Sequence, residues 1–128
     1  MEVIKEDYLQ YKLCDWLREK KIMHFHVPNG GLRSKREGAK FKAMGVKAGV
    51  HDLIILLDKG RTIFIELKVG NNKLQPSQVK FDLWLKKAGH PSHLVHANNV
   101  ESGLEQLLAI LQNYAPLYGH TCPLSSLE

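Results

Sequence analysis

Apolar and polar residues change rhythm several times along this chain, and each rhythm predicts an element. Residues 3 to 20 place Val3, Ile4, Tyr8, Tyr11, Leu13, Trp16 and Leu17 at helical spacing with polar residues between, which predicts a first helix. His24-Phe25-His26-Val27-Pro28 alternates like a short strand and stops at the turn signal Asn29-Gly30-Gly31. From about 51 to 69, two apolar runs flank Asp58-Lys59-Gly60, the pattern of a β-hairpin. Gln75-Pro76-Ser77-Gln78 offers a proline at the first helical turn, and Val79, Phe81, Leu83, Trp84 and Leu85 carry the pattern to a stop at Gly89. His93-Leu94-Val95-His96 predicts another strand, and Val100 to Tyr114 a final amphipathic helix. No internal repeat or low-complexity linker interrupts the series.

The hairpin decides what chemistry is available, because side chains on a strand alternate faces. A two-residue Lys59-Gly60 loop would set Asp52 opposite Leu67 and separate the acids. A three-residue Asp58-Lys59-Gly60 loop pairs Leu57 with Arg61 and sets Asp52 opposite Glu66, with glycine at the left-handed position such loops favour. In that register His51, Leu53, Ile55, Leu57, Ile63, Ile65, Leu67 and Val69 form a core face. The other face carries Ile54, Leu56, Thr62 and Phe64, then Asp52, Glu66 and Lys68 at the open end. Glu66 and Lys68 share a face roughly 7 Å apart.

Three ionisable groups at the end of an apolar sheet face are costly unless they pair or bind something. A structural Asp/Glu/Lys cluster is one reading. The other is a divalent-cation site, since Mg²⁺ and Mn²⁺ take oxygen ligands and are commonly held by one or two carboxylates with waters and a substrate phosphate. A nearby lysine can then steady charge developing on a phosphodiester.

Asp52…Glu66-x-Lys68 on a hairpin flanked by helices resembles the PD-(D/E)XK nuclease superfamily. Further features resemble its VRR-NUC branch, in the stand-alone form of phages and bacteria: Glu6-x-x-x-Gln10, Pro28-Asn29-Gly30-Gly31, Gly45-x-x-x-Gly49 and Leu74…Gln78. The likeness spans roughly residues 3 to 112, with one departure, His51 where the family usually has proline; His51 could add a ligand or a titratable group. It implies an α/β (α+β) restriction-endonuclease-like core in αβββαβα order, with a small mixed sheet flanked by helices. It also implies an Mg²⁺- or Mn²⁺-dependent endodeoxyribonuclease that cuts branched DNA such as a four-way (Holliday) junction, as a homodimer whose two-fold axis would suit paired cuts. By the same likeness, Asp52, Glu66 and the Leu67 backbone carbonyl would hold metal. Lys68 and Gln78 would act at the scissile phosphate, and Glu6 would add a second-metal or outer carboxylate. The alternatives are a nucleic-acid-binding module without the reaction, and a structural or partner-binding domain.

Composition fits one domain over 1–115 with a tail of 116–128: the chain has 128 residues and is 44% hydrophobic, without an apolar run of membrane-spanning length or a secretory leader. Cys14 and Cys122 have neither metal-finger spacing nor disulfide density, which fits a reducing, cytoplasmic setting. The net charge of +5 favours a polyanionic partner. Its distribution says more. Arg33, Lys35, Arg36, Lys40, Lys42 and Lys47 face only Glu37 over the stretch leading into Asp52, and with Asn29 they form the expected DNA track, with Lys73, Lys80, Lys86 and Lys87 in reserve. His24-x-His26 and the pair His93 and His96 lack a partner set for tetrahedral zinc. Absence of a Gly-rich phosphate loop or a Gly-x-Ser-x-Gly elbow argues against a nucleotide cofactor or a serine nucleophile.

Overall fold

The computed structural model describes residues 2–28 and 34–114. Its elements are α1 (Glu6–Glu19), β1 (His24–His26), α2 (Lys35–Ala43), β2 (Leu53–Leu57), β3 (Arg61–Lys68), α3 (Pro76–Ala88), β4 (Ser92–His96) and α4 (Val100–Gln112). The strands form one mixed sheet in the order β1-β2-β3-β4, antiparallel except for the parallel β3–β4 pair. That parallel pair needs a crossover, and α3 supplies it.

Hairpin register is the one the three-residue loop dictates. Leu57 pairs with Arg61 and Leu53 with Ile65, so Asp52 and Glu66 stand one step beyond the last pair. Lys59 and Gly60 both turn with positive φ, at 61° and 73°. Leu53, Ile55, Leu57, Ile63, Ile65, Leu67 and Val69 then join Leu9, Leu13 and Leu17 of α1 and Leu107 and Leu111 of α4 in the main core. Alternation alone accounts for this: every second hairpin residue is apolar and meets the apolar stripes of the two helices.

Three expectations change. The first helix begins at Glu6 rather than at residue 3, because Lys5 has extended backbone (φ −76°, ψ 148°) and Ile4 before it is tied to the Asn98 carbonyl through its N–H. A nine-residue helix, α2, stands between β1 and β2 where only a basic stretch was expected; it buries no residue and so has no apolar stripe to announce it. Ser34 caps it, accepting from Glu37 N–H at 3.1 Å. His51, expected on the core face, instead packs on the opposite face against Phe64 and Phe81, since β2 starts only at Leu53 and alternation does not reach back to it. The Asn29-Gly30-Gly31 turn, Arg33, Cys122 and the tail lie outside the described residues. Among the described residues no helix is long and apolar enough to cross a membrane.

Candidate active site

Four elements deliver the site. Asp52 comes from the segment entering β2, Glu66 and Lys68 from the end of β3, Glu6 from the first turn of α1 and Gln78 from the first turn of α3. The segment before Asp52 is seated by Gly49, whose φ is +89° and where a Cβ would lie 2.3 Å from the Ser77 carbonyl oxygen. Only glycine lets that segment lie on the α3 N-terminus.

Just before β2 begins, the Asp52 side chain extends the strand's pairing: Leu67 N–H donates to Asp52 Oδ2 at 2.9 Å. The Asp52 carbonyl in turn accepts from Val27 N–H at 2.9 Å and sits 2.7 Å from His26 Nδ1. The aspartate is thus fixed at both ends. A strand residue's N–H and C=O leave the same edge, so the Leu67 carbonyl is on the edge that faces Asp52.

Glu66 is buried, at 2% exposure, and Asp52 stands against it. Burial, followed by the hydrogen bond and negative charge of Asp52, pushes the Glu66 carboxyl up to about 9; Lys68 pulls the other way and Glu6 adds to the rise. Glu6 is itself raised, first by burial and then by the charge of Asp52. Carboxyls crowded this way cannot all ionise without a cation. Lys68, also buried, is a single positive charge among them.

Gln78 makes two contacts at once. Its Oε1 accepts from Gln75 N–H at 2.7 Å as part of a capping box, and its Nε2 thereby turns toward Glu66 Oε1, a long contact of 3.5 Å. On the far side of Glu66, His51 Nδ1 lies 3.9 Å from Oε2, while His51 Nε2 is 3.0 Å from Asp82 Oδ1. Burial raises Asp82, but hydrogen bonds from Lys86, Ser92 and His51 outweigh it and hold its carboxyl below the usual value. An ionised Asp82 can only accept, so His51 Nε2 carries the hydrogen and Nδ1 faces Glu66 bare. Burial also lowers the His51 pKa, which keeps the ring neutral. Asp82, Ser92 and Lys86 were not expected at the site; a carboxylate between Phe81 and Leu83 was the available signal.

Three buried side-chain atoms among the described residues have no hydrogen-bond partner: Glu6 Oε1, His51 Nδ1 and Glu66 Oε2. All three belong to this cluster. Buried polar atoms are rarely left unpaired, and a lone pair without a donor is what a cation satisfies. No three His, Cys, Asp or Glu side chains among the described residues form a complete metal-binding group by themselves. The oxygen atoms gathered here, two carboxylates and the Leu67 carbonyl, are of the kind that Mg²⁺ or Mn²⁺ takes, whereas zinc would ask for nitrogen or sulfur.

Gln10 points elsewhere, donating to the Cys14 sulfur at 3.1 Å, and burial raises the Cys14 thiol pKa. The histidines of the zinc alternative are engaged singly: His24 with the Ile22 carbonyl at 2.8 Å and His93 with the Tyr114 hydroxyl at 2.8 Å. Of the basic residues, Lys35, Arg36, Lys40, Lys42 and Lys47 are exposed on or just after α2, and Lys42 and Lys47 line a cleft with Lys80 of α3. Lys86 is committed to Asp82 and leaves the reserve set. Asn29 and Arg33 lie outside the described residues.

No family profile matches the chain, and no curated protein does. Solved structures do. A structure described as a VRR_NUC domain protein superposes with a TM-score of 0.68 at 29% identity, covering 91% of this chain and 93% of its own. Another, described as a VRR_NUC domain, superposes with a TM-score of 0.55 at 18% identity, covering 80% of this chain and 92% of its own, a likeness of fold. In its nuclease-type fold and in the order of its signature residues, the chain is similar to VRR-NUC domains.

Proposed function

We propose that this domain is a metal-dependent, structure-selective DNA endonuclease that hydrolyses phosphodiester bonds in branched DNA, four-way junctions included, and works as a homodimer. The observation that carries the proposal is the contact of the Asp52 and Glu66 carboxyls beside Lys68, with Glu66 Oε2 and Glu6 Oε1 unpartnered.

Asp52, Glu66 and the Leu67 carbonyl would hold Mg²⁺ or Mn²⁺, which supplies charge neutralisation at the phosphate and acidifies water. Asp52 arrives with its geometry set by the Leu67 N–H, so little reorganisation is needed at the moment of reaction. Lys68 offers its ammonium to charge growing on the phosphate oxygens. Glu6, whose Oε1 has no hydrogen-bond partner, would add an outer or second-metal carboxylate. Gln78 is held by its cap with Nε2 toward Glu66, where it can orient that carboxylate or donate to the phosphate.

The non-catalytic binding module is the second reading. It leaves the crowding of three acids around a buried lysine without a purpose, since a DNA-binding surface is weakened by carboxylates. Calorimetric titration of Mn²⁺ into the protein decides whether the site loads. Binding that releases protons, and that Asp52→Asn and Glu66→Gln each abolish, supports the proposal; equal binding by wild type and both variants defeats it.

A further inference from the structure

Between α2 and α3 runs a cleft of about 1020 Å³. Its lining combines three lysines, Lys42, Lys47 and Lys80, with three aromatic residues, Phe41, Phe81 and Trp84, and its described part includes no Asp or Glu. Phe81 is anchored to the sheet side, near-perpendicular to Phe64 with centroids 6.3 Å apart. Trp84 is the exposed member, 58% accessible, and is held near-parallel to Phe81 at 18° and to His90 at 21°. An indole more than half exposed, its plane fixed by two neighbouring rings, in a groove lined by lysines is the composition of a stacking platform.

The cleft leads to the acidic cluster. Ser77 lines it, and the next residue, Gln78, reaches Glu66. Lys47 lines it too, and the chain from Lys47 passes over Gly49, packed on Ser77, directly into Asp52.

Paired DNA keeps its base faces inside the helix and offers nothing for Trp84 to stack on. An unpaired nucleotide offers both an open base face and flanking phosphates. We propose that this cleft takes an unpaired nucleotide of the DNA, its base stacked on Trp84 and its phosphates on Lys42, Lys47 and Lys80, so that the preferred substrate carries a single-stranded segment beside the cut. The inference names the substrate class of the nuclease reading and rests on it. A second copy of the chain is a poorer occupant, because its net charge of +5 would be set against the three lysines of the cleft, whereas a nucleotide brings phosphates to them.

The test measures binding of the whole chain, with Ca²⁺ replacing Mg²⁺, to an oligothymidylate strand, a duplex with a single-stranded flap and a fully paired duplex. Trp84→Ala should weaken the strand and the flap by about tenfold and the paired duplex by less than about twofold, with Trp84→Phe restoring most of the loss. Equal losses on all three DNAs, or none, overturn the proposal. So does sedimentation in which Trp84→Ala turns a dimer into a monomer while single-strand affinity stays put. Parallel Mn²⁺ cleavage by the wild-type protein separates the two readings: Trp84-dependent binding without cleavage defeats the nuclease and keeps the cleft, and cleavage without Trp84-dependent binding defeats the cleft alone.

Discussion

Asp52 Oδ2 stands 2.9 Å from the backbone nitrogen of Leu67 and accepts its hydrogen bond, so a carboxylate fills the place of a strand residue at the end of the hairpin. Structure and chemistry are coupled in that one atom. Asp52→Ala strips the Leu67 N–H of its acceptor in a buried setting and should cost about 1–3 kcal/mol. Asp52→Asn keeps an acceptor oxygen and removes the negative charge that crowds Glu66 and Glu6, so its metal-free melting temperature should equal or exceed that of the wild type. Thermal melts of the three proteins in EDTA check the order, and an Asn variant as unstable as the Ala variant would show that the charge, not the acceptor, holds the hairpin end.

The crowded acids should also leave a mark on stability. Glu66 keeps its proton up to about 9 in the fold and loses it near 4.5 in the unfolded chain. Between those values the folded state binds more protons, so metal-free stability falls as pH rises through that window. Glu66→Gln stays neutral throughout and should flatten the decline. Saturating Mn²⁺ should oppose it, because the ion binds the deprotonated carboxylates. Denaturant midpoints from about pH 5 to about pH 9, with EDTA or Mn²⁺, test all three expectations.

Much of this site was legible because it depends on local rules. The loop Asp58-Lys59-Gly60 sets the register, the register sets Asp52 against Glu66, and alternation puts Lys68 on the same face. What failed was whatever local rules do not reach. His51 precedes the first paired residue of β2, so its face is chosen by Asp82 and the rings of Phe64 and Phe81, all distant in sequence. Helix α2 escaped because an element that buries nothing carries no periodic signal, although Ser34-Lys-Arg-Glu37 has the spacing of a capping box and could have revealed it. The α2–α3 cleft joins residues of two helices that no spacing connects.

Lys35, Arg36 and Lys40 project from that helix, exposed and outside the cleft lining. If they hold DNA, they do so through phosphates alone. Neutralising all three should weaken binding alike for every sequence and lower the slope of log K against log salt by about 0.9 for each duplex phosphate that the protein no longer neutralises. A salt series on an uncleavable four-way junction measures it; an unchanged slope would leave the lysines of the cleft as the track.

The central claim is that Asp52, Glu66 and Lys68 form a hydrolytic metal site, and single-turnover cleavage of linear, flap and four-way DNA in Mg²⁺ or Mn²⁺ tests it most directly. Wild-type protein should cut the branched substrates only with the metal present. Asp52→Asn and Glu66→Gln should fall to background while still binding DNA, and Lys68→Ala should lose on the order of a hundredfold in rate, as removal of a preorganised charge-stabilising group does. Cutting by Asp52→Asn at the wild-type rate would contradict the claim and place the chemistry, if any, elsewhere on the chain.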